Sequence, residues 1–283
     1  MRIAVITDPI RSRITQFDPH SRRRNELTRK AVSKALLDLG HSVHTIEVGP
    51  NILYEIEAVH PDVMFNIANG YNSKKQQANV AAMLELTDIP FTGSEARTHV
   101  FALYKDITKI LLQHRHVPTP EFIVVHSPEE LDSFPSEGRL PGPVIVKPSA
   151  EGSSVGIHAN SVAHRFEEVR RLVFNLIETV GPPIMIERFI PGREFTVALV
   201  GYPEPTVLPI KEILLDEEVL YTYEVKTADK VLSVCPAEIS SELTQEIQDL
   251  ALESFVAIGC RDIARVDFRV SEDSVPYVLE INT

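Results

Sequence analysis

The sequence predicts an α/β protein whose later part is α+β. Strands and helices alternate over roughly the first 93 residues, and that order implies a parallel sheet. From Ile184 onward the chain is mostly strand, with one long helix before a terminal hairpin. With 283 residues, 43% of them hydrophobic, the chain has material for the cores of two or three domains.

Residues 2–7 read as a buried strand. A helix is expected over 25–39, with Leu27, Val32, Ala35, Leu36 and Leu39 on one side and Gly40 as its stop. Strands at 43–48 and 63–67 and a helix over 76–86 complete a first domain, 1–93. Ser94 is positioned to cap a helix through Lys105, Lys109, Leu111 and Leu112, stopped by Val117-Pro118-Thr119-Pro120. Next come a strand at 121–125, a proline-rich loop at 132–143, a strand at 144–147 and a helix at 161–179. These make a second domain, 94–183. Strands at 184–189, 194–200 and 206–215, a helix at 241–258 and the hairpin form a third, 184–283.

A net charge of −12 argues against a nucleic-acid-binding surface. Arg22-Arg23-Arg24 reads as a solvated helix start. Cys235 and Cys260 are too few and too far apart for a disulfide framework or a zinc site, which suits a reducing compartment. No apolar run approaches the ~20 residues of a membrane span, and the apolar run after Met1-Arg2 is too short for a signal peptide. A cytoplasmic location with no membrane partner is expected.

Four segments carry candidate chemistry. In the hairpin, Arg265 and Asp267 are two apart and share a strand face, as do Glu280 and Asn282. Ala264, Val266, Phe268 and Val270 take the other face of one strand; Tyr277, Leu279 and Ile281 take that of its partner. One cation and three oxygen ligands on one surface suit Mg²⁺; a solvated amphipathic face is the alternative. In Val144–Ile157, Lys147 closes an apolar strand before a loop with glycines and serines, whose backbone N–H groups and hydroxyls suit phosphate oxygens. It is neither a Walker A loop nor a dinucleotide fingerprint; a hairpin tip with an incidental lysine is the alternative. In Ile184–Phe195, Glu187, Phe189 and Glu194 flank a Pro191-Gly192 turn and could serve an adenine edge, its face and a ribose. Tyr221–Lys226 reads as a lid over phosphates or as a surface loop.

Taken together, these segments resemble the ATP-grasp fold and, within it, the D-alanine–D-alanine ligase family. The resemblance covers Phe91 to Asn282 closely and the first ninety residues in layout, as a small Rossmann-like α/β domain ahead of the ATP-grasp part. It rests on Val146-Lys147-Pro148-Ser149-Ala150-Glu151-Gly152-Ser153-Ser154-Val155-Gly156, on Glu187 to Thr196, on Tyr221 to Lys226, and on Arg265 to Phe268 with Leu279 to Asn282. The resemblance implies that Lys105 and Lys147 contact ATP phosphates. Glu187 and the backbone near Phe189 would read adenine, and Glu194 would hold the ribose. Lys226 would reach the γ-phosphate, and Asp267, Glu280 and Asn282 would hold two Mg²⁺ (or Mn²⁺). Arg265 would stabilise transition-state charge, and Ser153 and Ser154 would meet substrate and phosphate. The implied reaction joins two D-alanines through an acyl phosphate, with small-molecule substrates (amino acids and ATP) and a homodimer left open.

Departures concern the amino-acid substrates. The family's N-terminal segment carries a glutamate for the first substrate's ammonium. Here the stretch is Thr7-Asp8-Pro9-Ile10-Arg11-Ser12-Arg13, with Glu26 as a stand-in. Ala68–Lys74 replaces another family segment, Thr227 follows the lid lysine, and Tyr104 precedes Lys105. The family continues through an NPG-type turn, so the third domain is expected to be truncated at Thr283. Two further readings follow: an ATP-grasp ligase for other amino acids or a peptide, and an ATP-binding protein without turnover.

Overall fold

The structure, a computed structural model, describes residues 1–9, 19–72, 74–133, 142–152, 156–215 and 232–283. It divides into two compact units, Met1–Val100 with Cys260–Asp262, and Phe101–Gly259 with Ile263–Thr283.

The first unit contains β1 (Arg2–Thr7), α1 (Pro19–Asp38), β2 (Ser42–Glu47), α2 (Ile52–Val59), β3 (Val63–Asn66) and α3 (Gln77–Glu85). The chain leaves it within α4 (Ala96–Leu103). Its three strands are parallel, in the order β2-β1-β3, as the alternation of strands and helices requires. Ala4, Ile6, Ile46, Ile52, Ile56, Met64, Val80 and Leu84 form its core. The helix α1 begins at Pro19, earlier than the expected Asn25, because proline's fixed φ and missing N–H suit a first helical position. Its expected apolar face is corrected too. Leu27 and Leu39 are exposed, while Val32 and Leu36 are half-buried.

The second unit holds two antiparallel sheets. One comprises β4 (Phe122–Val125), β5 (Val144–Pro148), β6 (Val162–Ala163) and β7 (Ile184–Arg188), in the order β4-β7-β5-β6. Val144, Val146, Ile184 and Ile186 pack with Val169, Leu172, Val173 and Leu176 of α6 (Phe166–Thr179). The apolar residues of α6 recur at helical spacing and so fall on one face. The expected helix start at Ser161 is corrected: a 3₁₀ turn (Ala159–Ser161) and β6 precede α6.

The other sheet runs β11-β10-β8-β12-β13, with β9 on β8. Its strands are β8 (Gly192–Val200), β9 (Thr206–Val207), β10 (Lys211–Leu214), β11 (Leu232–Val234), β12 (Ile263–Ser271) and β13 (Pro276–Asn282). The expected single strand over 206–215 is thus two short ones. Phe195, Val197, Leu199, Val266 and Phe268 are fully buried, as are Ile247 and Ala251 of α7 (Ser241–Ala257), which packs on this sheet. Ser240 caps α7, accepting from the Leu243 amide at 3.2 Å.

The helix expected from Ser94 to Leu112 is interrupted. Tyr104 is extended (φ −88°, ψ 99°), and α5 (Lys105–His114) starts anew beyond it. The break lets the Lys105 amide donate to Ser149 O at 3.0 Å. Ser149 Oγ also donates to Asp106 Oδ1 at 2.6 Å, so α5 is anchored to the loop after β5.

Candidate active site

Strand parity and register determine which residues of the second unit share a face. On the first sheet Ile145 pairs with Glu187 and Lys147 with Met185, so Ile145, Lys147 and Glu187 share the face opposite α6. On the second sheet three rows align across β8, β12 and β13. Ala198, Arg265 and Asn282 form one row, and Thr196, Asp267 and Glu280 the next; Glu194, Arg269 and Tyr277 form the third. Residues of both faces line one cavity of ≈ 370 Å³, within the usual range for small-molecule sites. Lys105, Lys147, Glu187, Phe189, Glu194, Arg265, Asp267 and Glu280 all border it. The hairpin face and the lysine-tipped strand therefore meet at one cleft. Ser153, Ser154 and Lys226 lie outside the described residues.

The hairpin differs from strict alternation. Asp267 pairs with Glu280 but Phe268 pairs with Val278, so Leu279 is the extra residue of a bulge. Pro276, Val278 and Ile281 are buried, whereas Leu279 lines the cavity beside Glu280. Leu279 is therefore not on the inward face with Ile281, as simple alternation over Tyr277, Leu279 and Ile281 predicts.

Asp267 is the hub of the hairpin face. Arg265 donates to both its oxygens, Nε to Oδ1 and Nη2 to Oδ2, each at 2.9 Å. Thr196 Oγ1 donates to Oδ1 at 2.6 Å and Asn282 Nδ2 to Oδ2 at 3.0 Å. Glu280 faces Lys105 at 3.3 Å, and Lys105 Nζ also donates to Glu151 O at 2.5 Å.

Burial pushes Glu194 up to about 7, with Asp267 and Glu280 adding to the rise against the pull of Arg269 and Lys147. Such a rise is what burial does to a carboxyl, since it disfavours the charged form. Among the described residues no three His, Cys, Asp or Glu side chains cluster as a metal site. The expected set is two carboxylates and an amide, and its hard oxygens fit Mg²⁺ or Mn²⁺ when phosphates supply further ligands.

The other wall is a buried ion cluster. Glu187 Oε1 accepts from Lys147 at 2.8 Å, and Glu187 Oε2 lies 2.7 Å from Lys109 Nζ. Burial pushes Glu187 up, but Lys109 and Lys147 outweigh it and hold the carboxyl below its ordinary value. Burial likewise pulls Lys109 below the ordinary lysine value, against Glu187. Phe189 packs with Ile145, and the Arg269 guanidinium lies 4.9 Å from the Phe189 ring centroid.

Sequence reasoning missed Lys109, Arg269 and Lys211. Lys211 pairs with Thr196 and lines the cavity. Arg269 extends the two-residue spacing of Arg265 and Asp267, a signal that could have found it. Lys109 sits one helical turn after Lys105, an i,i+4 spacing that puts both on one face.

In the first unit, Asp8 accepts from the amides of Asn69 at 2.6 Å and Gly70 at 3.0 Å, and from Asn25 Nδ2 at 2.6 Å. It thereby joins the ends of β1 and β3 to α1. Glu26 pairs with Lys30 at 2.7 Å, with both side chains half or more exposed.

A family model described as the D-ala D-ala ligase C-terminus matches residues 111–283. The D-alanine–D-alanine ligase of Pelotomaculum thermopropionicum is 32% identical over 265 residues, covering 90% of this chain and 80% of that protein. The chain belongs to the D-alanine–D-alanine ligase family. It is also similar to the uncharacterized protein y4sG of Sinorhizobium fredii, 34% identical over 265 residues, covering 89% of this chain and 76% of that one. The crystal structure of a D-alanine–D-alanine ligase from Bacillus anthracis complexed with ATP superposes with a TM-score of 0.71 at 22% identity, covering 100% of this chain and 86% of that one. The fold is the ATP-grasp fold preceded by a small α/β unit. Among the described residues no helix is long and apolar enough to cross a membrane.

Proposed function

We propose that the protein joins two D-alanines at the expense of ATP, forming D-alanyl-D-alanine for peptidoglycan precursors. One observation carries this reading: Lys105, Lys147, Arg265, Asp267 and Glu280 border a single cavity in a chain of the ligase family. In the first step a D-alanine carboxylate oxygen attacks the γ-phosphorus, releasing ADP and forming an acyl phosphate. In the second, the amine of the other D-alanine attacks the acyl carbon, phosphate leaves with the bonding pair, and the proton lost from the nitrogen passes to the departing phosphate.

Such chemistry needs positioning and charge neutralisation rather than a protein nucleophile. Lys105 and Lys147 are assigned to the ATP phosphates, and Arg265 to the charge that grows on the transferred phosphoryl and acyl oxygens. Ile145, Ile157 and Phe189 offer an apolar end for adenine, with Glu187 and the backbone near Phe189 at its edge. Glu194 is assigned to the ribose. Asp267, Glu280 and Asn282 would hold the two divalent ions, which polarise phosphoryl oxygens when bound. Ser153, Ser154 and Lys226 are assigned, from the family motifs alone, to phosphate and substrate. We further propose the division of the chain into parts 1–93, 94–183 and 184–283.

A second reading, ligation of other amino acids or a peptide, is favoured by Asp8. Where the family's glutamate is absent, this carboxylate is committed to Asn25, Asn69 and Gly70. ADP release measured across D- and L-amino acids separates the two. Stimulation by D-alanine above all others is expected; stimulation by a different amino acid, with none by D-alanine, refutes the first reading.

A further inference from the structure

Lys109 is among the largest fully buried side chains of the described residues and carries a charge, and the proposed reaction makes no use of it. At 0% exposure it cannot touch a ligand. Its Nζ lies 2.7 Å from Glu187 Oε2 and donates to Thr119 Oγ1 at 2.6 Å; Thr119 in turn donates to Val278 O on β13 at 2.8 Å. The other Glu187 oxygen accepts from Lys147, which lines the cavity. One carboxylate thus stands between two ammonium groups in a site with little water. Glu187 and Lys147 alone would cancel. With Lys109 present the trio keeps one net positive charge, and in poorly solvated surroundings an added charge acts strongly on neighbouring groups.

We infer that Lys109 is a positioning residue for the nucleotide phosphates: it balances Glu187 from behind and leaves the charge of Lys147 available to a triphosphate. The inference rests on the assignment of Lys147 to the phosphates. The Thr119 link fixes the Lys109 ammonium on the far side of Glu187 from the cavity. A purely structural ion pair would predict something different, because its loss would disturb every ligand of the cleft alike.

The test is calorimetric titration of the full-length protein with ATP, inorganic tripolyphosphate and adenosine. Lys109→Met removes the charge at similar volume. It is expected to weaken ATP and tripolyphosphate roughly tenfold, as for one unit charge across a partly screened site, and to leave adenosine unchanged. The double variant Lys109→Met/Glu187→Gln restores the net charge, and its tripolyphosphate affinity is expected to return to within about threefold of wild type. Equal weakening of adenosine, no weakening of ATP, or absence of rescue overturns the inference. Should Lys109→Met fail to fold, the double variant is compared with Glu187→Gln alone, which keeps Lys109: tripolyphosphate is expected to bind the single variant roughly tenfold more tightly, and equal affinities overturn the inference. Lys147→Met serves as control. If it binds tripolyphosphate like wild type, the phosphate assignment itself falls, whereas a weakened Lys147→Met beside an unaffected Lys109→Met refutes only the role of Lys109.

Discussion

Replacing Glu194 by Gln is expected to stabilise the protein and weaken its hold on ATP at once. Glu194 moves from an ordinary 4.5 up to about 7 on folding, chiefly through burial. The folded chain therefore keeps a proton that the unfolded chain releases between those values. Stability from this group is complete below about pH 4.5 and is lost as pH rises through 7. At about 1.36 kcal/mol for each pH unit, the full cost at high pH is about 3 kcal/mol. Gln has no charge to bury, so the variant escapes that cost. Urea unfolding without nucleotide, at pH 5 and pH 8, measures the difference. The gap should widen by about 2 kcal/mol towards pH 8, in favour of the variant. ATP affinity should fall, because an amide is a poorer acceptor for ribose hydroxyls than a carboxylate. A stability gap independent of pH, or one closing towards pH 8, refutes the reasoning.

Two further substitutions probe the second sheet. At Gly192 (φ +140°) a Cβ would lie 2.0 Å from Val270 O, so Gly192→Ala should cost about 3 kcal/mol or more and lower the thermal midpoint; an unchanged midpoint contradicts the close approach of β8 to β12. Arg265→Gln should lower kcat about a hundredfold with little change in KM for ATP, as for a group acting on transition-state charge; a change confined to KM would move Arg265 to ground-state binding.

Much of the site was legible in the sequence because strand alternation is local. Arg265 and Asp267 share a face for the reason their spacing suggests, and Lys147 ends a buried strand that borders the cavity. Long-range pairing was not legible. Nothing near Glu187 in sequence announces that its second partner is Lys109 on α5. The break at Tyr104 depends on Ser149, which lies far along the chain. Leu27 and Leu39 misled because an apolar residue on a helix signals burial only if another element covers it. The expected strand over 206–215 failed because propensity carries no information on where pairing partners end.

The bulge at Leu279 has a consequence for reading this strand in related chains. Remove Leu279 from the count and the remaining residues alternate without fault: Val278 inward, Glu280 outward, Ile281 inward. The surplus residue adds a hydrocarbon lining beside a carboxylate while leaving the inward set undisturbed. Relatives that differ in length by one residue here could therefore keep the same buried contacts and change only the floor of the cleft.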